Sequence, residues 1–266
     1  MTSHNANTLR TLKELYDDYR PAIVRITIRT REGDLANGCG FHIGHGNIVT
    51  AKHVLDDGEL DAVTRVYDDE PVHVRKVLDS SEPGIDLALL QTDFDLSDYV
   101  NKTHFLGDKR RQDAKTDRIP LSFFTNEFLG AGFVLTKVLL MGFPRVPRSN
   151  KTYLLAVTGE VNALIGKYRE EQPHFIISTV ARGGFSGGPV INEYGSLLAV
   201  LIESLYEQDQ AEENGFASAI AIEPLLNLLA EHGIEPIDIP PHLWKDFCQR
   251  IKTGKAINNT RTGTDD

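Results

Sequence analysis

What most constrains the fold of this chain is a recurring alternation of short apolar runs and turn residues along most of its length. Val24, Ile26 and Ile28 alternate with Arg25, Thr27 and Arg29, the period-two pattern of a strand with one buried face. Further strand-like runs follow at close intervals: Gly40–Ile43, Ile48–Thr50, Leu60–Tyr67, Val72–Val77 and Leu87–Gln91. His45-Gly46-Asn47 and Asp56-Asp57-Gly58 separate some of them with residues suited to tight turns. The pattern resumes in Val134–Met141, Tyr153–Val161, His174–Thr179, Pro189–Ile191, Leu197–Ile202 and Gly215–Ile222. Such spacing implies an all-β barrel or sandwich.

Helical periodicity belongs to the ends. Leu9, Leu12, Leu15, Tyr16 and Tyr19 predict an amphipathic helix over 8–20, ended by Pro21. Pro224 suits the first turn of a second helix running through Ala230, and Gly233 suits its end. Residues 97–118 break the strand rhythm with mixed charges, among them Lys102, Asp108, Lys109, Arg110, Arg111 and Arg118, and are expected to form an exposed connector between two halves. Beyond Pro236 a packed extension is expected, with a disordered tail over Lys252–Asp266.

A composition of 41% hydrophobic and 25% charged residues is that of an ordinary globular chain. The net charge of −10 argues against a nucleic-acid surface, which needs clustered Lys and Arg. No apolar run approaches the ~20 residues of a membrane span. Met1–Asn7 shows no basic start leading into an apolar core, so no secretory leader is expected. Two cysteines, Cys39 and Cys248, are too few for a disulfide framework. Reduced thiols and a cytoplasmic location follow as expectations.

The chemistry centres on Gly183-Gly184-Phe185-Ser186-Gly187-Gly188-Pro189. A serine bracketed by glycines also fits the strand-to-helix elbow of α/β-hydrolases. Gly187, Gly188 and Pro189 make a poor helix start, and Val190-Ile191 continues as a strand. The elbow also needs an acid and a histidine downstream, where only His232 and His242 occur, at a helix end and in a Pro-rich coil. The order His, Asp, Ser is better supplied. His53 follows the apolar strand Ile48–Thr50, and Asp86 heads the apolar run Leu87–Leu90, where a carboxylate is costly to bury without a partner.

Thr50-Ala51-Lys52-His53-Val54, Asp86-Leu87-Ala88-Leu89-Leu90 and Gly184-Phe185-Ser186-Gly187-Gly188-Pro189, in that order, resemble the sequence blocks of the trypsin-like serine peptidases. Gly142-Phe143-Pro144, Thr158–Val161 and Gly215-Phe216-Ala217 bring the resemblance closer to the HtrA (Deg) and bacterial trypsin-like members, over roughly residues 20–230. The resemblance implies two packed six-stranded antiparallel β-barrels of the chymotrypsin type, dressed by terminal helices. The expected layout is a helix in 1–20 and a peptidase domain over 21–235. Barrel one lies in about 21–96, the connector in 97–118, barrel two in 119–222 and a helix in 224–232; an extension fills 236–266. No PDZ-like domain is expected after Ala230.

By the same resemblance His53 is the general base, Asp86 orients it, Ser186 is the nucleophile, and the N–H groups of Gly184 and Ser186 form the oxyanion hole. The implied substrate is a protein or peptide; no cofactor and no metal is called for, and the oligomeric state is left open. Val180, with Leu201, Ile202 and Glu203 along a wall, is the expected specificity pocket, favouring a small or medium aliphatic residue before the scissile bond. Phe185 replaces the aspartate that pairs with a new N-terminus in digestive enzymes, so activation by N-terminal clipping is not expected. Val54 replaces a cysteine, so the family's disulfide across the histidine loop has no second partner. A trypsin-like scaffold or regulatory binding module with incidental catalysis is the other reading. Among the remaining candidates, His42 and His45 read as hairpin residues rather than zinc ligands. His73 reads as a solvent-facing strand residue and Arg182 as a loop charge beside the serine.

Overall fold

A computed structural model describes residues 10–66, 69–94, 118–122, 131–166, 172–181, 183–206 and 213–253. Most of the connector at 97–118, Arg182 and the tail beyond Thr253 lie outside these residues.

The first half forms one antiparallel sheet from β1 (Ile23–Thr30), β2 (Leu35–Gly44), β3 (Asn47–Thr50), β4 (Gly58–Arg65), β5 (Val74–Asp79) and β6 (Ala88–Thr92), ordered β4-β1-β2-β3-β6-β5. Its edge strands β4 and β5 share no ladder, but Thr64 bridges Pro71, and the Val72 N–H bonds the Val63 carbonyl at 2.7 Å. The sheet therefore curls into a barrel that is stitched at one corner rather than fully closed. The second half closes completely. There β7 (Lys137–Gly142), β8 (Leu155–Gly166), β9 (Pro173–Ser178), β10 (Pro189–Asn192), β11 (Leu197–Tyr206) and β12 (Glu213–Ala221) run in the order β10-β11-β12-β9-β8-β7.

Alternation along the strands builds two cores. Val138, Leu140, Val161, Phe175, Ile177 and Leu201 fill the second barrel. The opposite faces of its strands, at Leu139, Met141, Ile191 and Val200, join a larger core with Val24, Ile26, Phe41 and Leu89 of the first. The shared core lets neither half bury its apolar surface alone.

Terminal helices cross between the halves. Helix α1 (Leu12–Tyr19) begins with a Thr11–Glu14 capping box, which satisfies two backbone donors at its start. It buries Leu15 and Tyr19, and the Tyr19 hydroxyl donates to the Gly195 carbonyl at 2.7 Å, so it rests on the β10–β11 turn of barrel two. Helix α3 (Ile222–Glu231) makes the reverse crossing: Leu225, Leu228 and Leu229 enter the larger core, and Glu231 accepts from the Ser81 N–H at 3.0 Å. Its chain exit uses Gly233 at φ +65°. Two helices were not foreseen in the strand pattern: the short α2 (Lys52–Asp56), which carries His53, and α4 (Pro241–Thr253) within the extension. Trp244 of α4 is buried and stacks on Phe247, and Arg118 pairs with Asp238 at 2.7 Å to hold the segment leading into α4. No helix of the described residues is long and apolar enough to cross a membrane.

Candidate active site

His53 enters the site because β3 ends at Thr50 and the chain turns at once into α2. Asp86 sits just before β6, which pairs with β3 so that Thr50 faces Ala88. That register sets the carboxylate beside the histidine. Asp86 Oδ2 lies 2.7 Å from His53 Nδ1, and Oδ1 accepts the His53 backbone N–H at 2.8 Å. Both oxygens are thus spent on one residue. The pairing fixes the proton on Nδ1 and turns Nε2 outward as the basic nitrogen.

The serine loop is held from both halves. The Cys39 N–H of β2 donates to the Ser186 carbonyl at 2.9 Å, and the Gly187 N–H donates to the Leu201 carbonyl of β11 at 2.8 Å. Phe185 packs inside barrel two against Gly142, where a Cβ would lie 2.6 Å from the Phe185 Cα. This explains why β7 ends in glycine. Gly187 has φ +81°, and a Cβ there would meet the Cys39 carbonyl oxygen and Thr50 Oγ1 at 2.3 Å. Gly184 has φ +101°, with its carbonyl held by the Phe143 N–H at 2.8 Å. Neither the Gly184 nor the Ser186 N–H donates to another described residue.

Ser186, His53 and Gly184 line one cleft of about 1150 Å³ between the halves. The Ser186 hydroxyl donates to the Ile202 carbonyl at 3.0 Å, and no hydrogen bond joins it to His53.

Burial is the largest single influence on His53 and opposes its charge. The hydrogen bond and charge of Asp86, with the charges of Asp57 and Glu203, together outweigh burial and hold its pKa above the ordinary histidine value. Sequence patterns alone missed Asp57, which only the fold of α2 turns toward the cleft.

The residues expected to form the specificity pocket are dispersed in character. Val180 is 54% exposed, and Glu203 is exposed and acts on His53 through its charge. The Leu201 and Ile202 side chains turn away into the two cores, because successive residues of β11 face opposite sides. His42 is buried, accepts the Gly46 N–H on Nε2 at 3.0 Å and stacks on Phe94. His73 is exposed, one residue before β5. Among the described residues no group of three His, Cys, Asp or Glu side chains could hold a metal ion. Cys39 and Cys248 are both free thiols, and Val54 packs over Gly38, where a Cβ would meet it at 2.4 Å.

Residues 38–200 match the family model of the trypsin-like peptidase domain. The chain belongs to that family. The trypsin-like domain superposes on the Rv3671c protease of M. tuberculosis in its active form with a TM-score of 0.58 at 17% identity, covering 84% of this chain and 86% of that one. It is similar to the serine endoprotease of Yersinia pestis, with a TM-score of 0.57 at 19% identity over 85% of this chain and 67% of that one. It is similar as well to the HtrA-type protease AlgW in complex with a tripeptide, with a TM-score of 0.58 at 16% identity over 85% and 65%. At these identities the likeness carries the chymotrypsin-type fold. No curated protein sequence matches the chain.

Proposed function

We propose that the chain is a serine endopeptidase that cleaves peptide bonds through a covalent acyl-enzyme. The observation that carries this reading is the 2.7 Å contact of His53 Nδ1 with Asp86, with His53 lining the same cleft as Ser186. On substrate binding the serine hydroxyl leaves the Ile202 carbonyl and donates to His53 Nε2. His53 takes that proton as Oγ attacks the carbonyl carbon, then returns it to the departing amine. Asp86 stabilises the imidazolium formed between those steps. The Gly184 and Ser186 N–H groups receive the oxyanion, and one such donor contributes about 2.7–4 kcal/mol of transition-state stabilisation. Water then attacks the acyl-enzyme by the same steps in reverse roles. Val180 is assigned to the subsite before the scissile bond, where it favours an aliphatic side chain over Lys or Arg.

The two free thiols, and Val54 in place of a cysteine, support a reducing, cytoplasmic setting. Phe185, buried in barrel two, leaves no carboxylate to receive a newly cut N-terminus and supports activity without such clipping. One observation favours the alternative of a scaffold with incidental catalysis: the Ser186 hydroxyl is bonded to Ile202 instead of His53. A fluorophosphonate probe decides between them. The peptidase reading expects stoichiometric labelling that Ser186→Ala abolishes in folded protein. Wild-type protein that stays unlabelled while retaining its native circular dichroism supports the scaffold.

A further inference from the structure

Ser186 and His53 share their cleft with two further segments. These are Asp34 to Gly38 of the β1–β2 hairpin and the loop from Phe143 to Thr152, which line it as well. Val180, Leu201, Ile202 and Glu203 do not line it. In the reaction proposed above, on which this inference rests, the departing amine takes its proton from His53. The peptide beyond the scissile bond therefore leaves past His53, and this cleft is where it lies.

The loop wall of the cleft is basic. Residues 143–152 contain Arg145, Arg148 and Lys151 and no acid, in a chain whose net charge is −10. All three cations line the cleft and are exposed. No carboxylate of a described residue lies within 4.0 Å of any of them. The loop is shaped instead by its own polar bonds: Ser149 N–H to the Val146 carbonyl at 3.1 Å, and Ser149 Oγ to the Lys151 carbonyl at 2.6 Å. Its charges are thus presented to the cleft without being used to hold the fold. The same cleft is also lined by Asp34 and Asp57, and Asp57 already acts on His53.

We propose that Arg145, Arg148 and Lys151 select peptides with acidic residues on the C-terminal side of the scissile bond. Each contact is between exposed charges, so the selection is modest per residue and weakens with salt. The preference applies to side chains that reach the loop wall; those facing Asp34 gain nothing from being acidic.

The test uses quenched fluorescent peptides identical before the scissile bond and carrying Glu, Gln or Lys after it. At low salt the Glu peptides should exceed the Gln peptides in kcat/KM by about two- to thirty-fold, and the ratio should fall toward one in ~1 M salt. The triple variant Arg145→Glu, Arg148→Glu, Lys151→Glu should invert the order in favour of Lys. If that variant does not fold, the salt titration of the wild type decides. A Glu-to-Gln ratio of one at low salt, or one that salt leaves unchanged, overturns the proposal while Ser186-dependent cleavage keeps the peptidase reading intact. No Ser186-dependent cleavage of any peptide overturns both.

Discussion

Asp86 acts on His53 in two ways that pull its measurable consequences apart. Its hydrogen bond and charge, with Asp57 and Glu203, hold the histidine pKa above its ordinary value despite burial. Only neutral His53 can serve as base. kcat/KM should therefore rise with pH through a midpoint above about 6.5; a flat profile from pH 5 to 8 speaks against His53 as the base. Stability runs the other way. Because the folded-state pKa is raised, the pairing stabilises the fold fully below the unfolded value and is lost as pH climbs through the folded one. Asp86→Asn keeps the shape but lets His53 take the wrong tautomer, and kcat should drop by about 10,000-fold, with little change in Tm at a pH above the folded-state pKa of His53. An unchanged kcat would remove Asp86 from the mechanism. At this scale His53, Asp86 and Ser186 were legible in the sequence, since each stands in a short block with its own turn or strand boundary. The Ile202 carbonyl as partner of the serine hydroxyl was not, because it depends on β11 passing beside the loop. Nor was the inward turn of Leu201 and Ile202, since a strand's facing is set by barrel closure and not by its own residues.

The elements show why the strand runs were readable and some helices were not. Alternation marks β1, which buries one face, and short continuous apolar runs bounded by turn residues mark the fully buried β3 and β6, so these strands fall within a few residues of their apolar runs. Helix α2 is five residues long, too short for any periodicity to register. Helix α4 opens on Pro241, directly after Pro240, and exposes most of its length, so its one buried aromatic, Trp244, resembles a chance apolar residue in a polar stretch. The structure gives that residue a structural role. Trp244→Ala should lower unfolding free energy by about 3 kcal/mol, read as a shift in the denaturation midpoint; a change below about 0.5 kcal/mol would mean that α4 does not dock. A smaller loss, about 1 kcal/mol, is expected for Thr11→Ala, which removes the cap from α1.

At the scale of the molecule the two halves are locked by exchange. Helix α1 starts on barrel two before the chain enters barrel one, and α3 leaves barrel two to cover barrel one. The site draws His53 and Asp86 from one half and Ser186 from the other, with the Cys39-to-Ser186 backbone bond between them. Unfolding should accordingly be a single cooperative transition, with the midpoint by tyrosine and tryptophan fluorescence matching that by circular dichroism. Two separated transitions would show the halves to be independent. The same division explains what a linear reading leaves out: the basic run Arg145, Arg148, Lys151 is plain in the sequence, but its place along the cleft exists only once both halves are assembled. The most direct test of the central claim is a proteome-wide cleavage profile of the wild type against Ser186→Ala, both shown to be folded. A Ser186-dependent peptidase leaves new peptide termini in the wild-type digest alone. Identical profiles from the two proteins would contradict it.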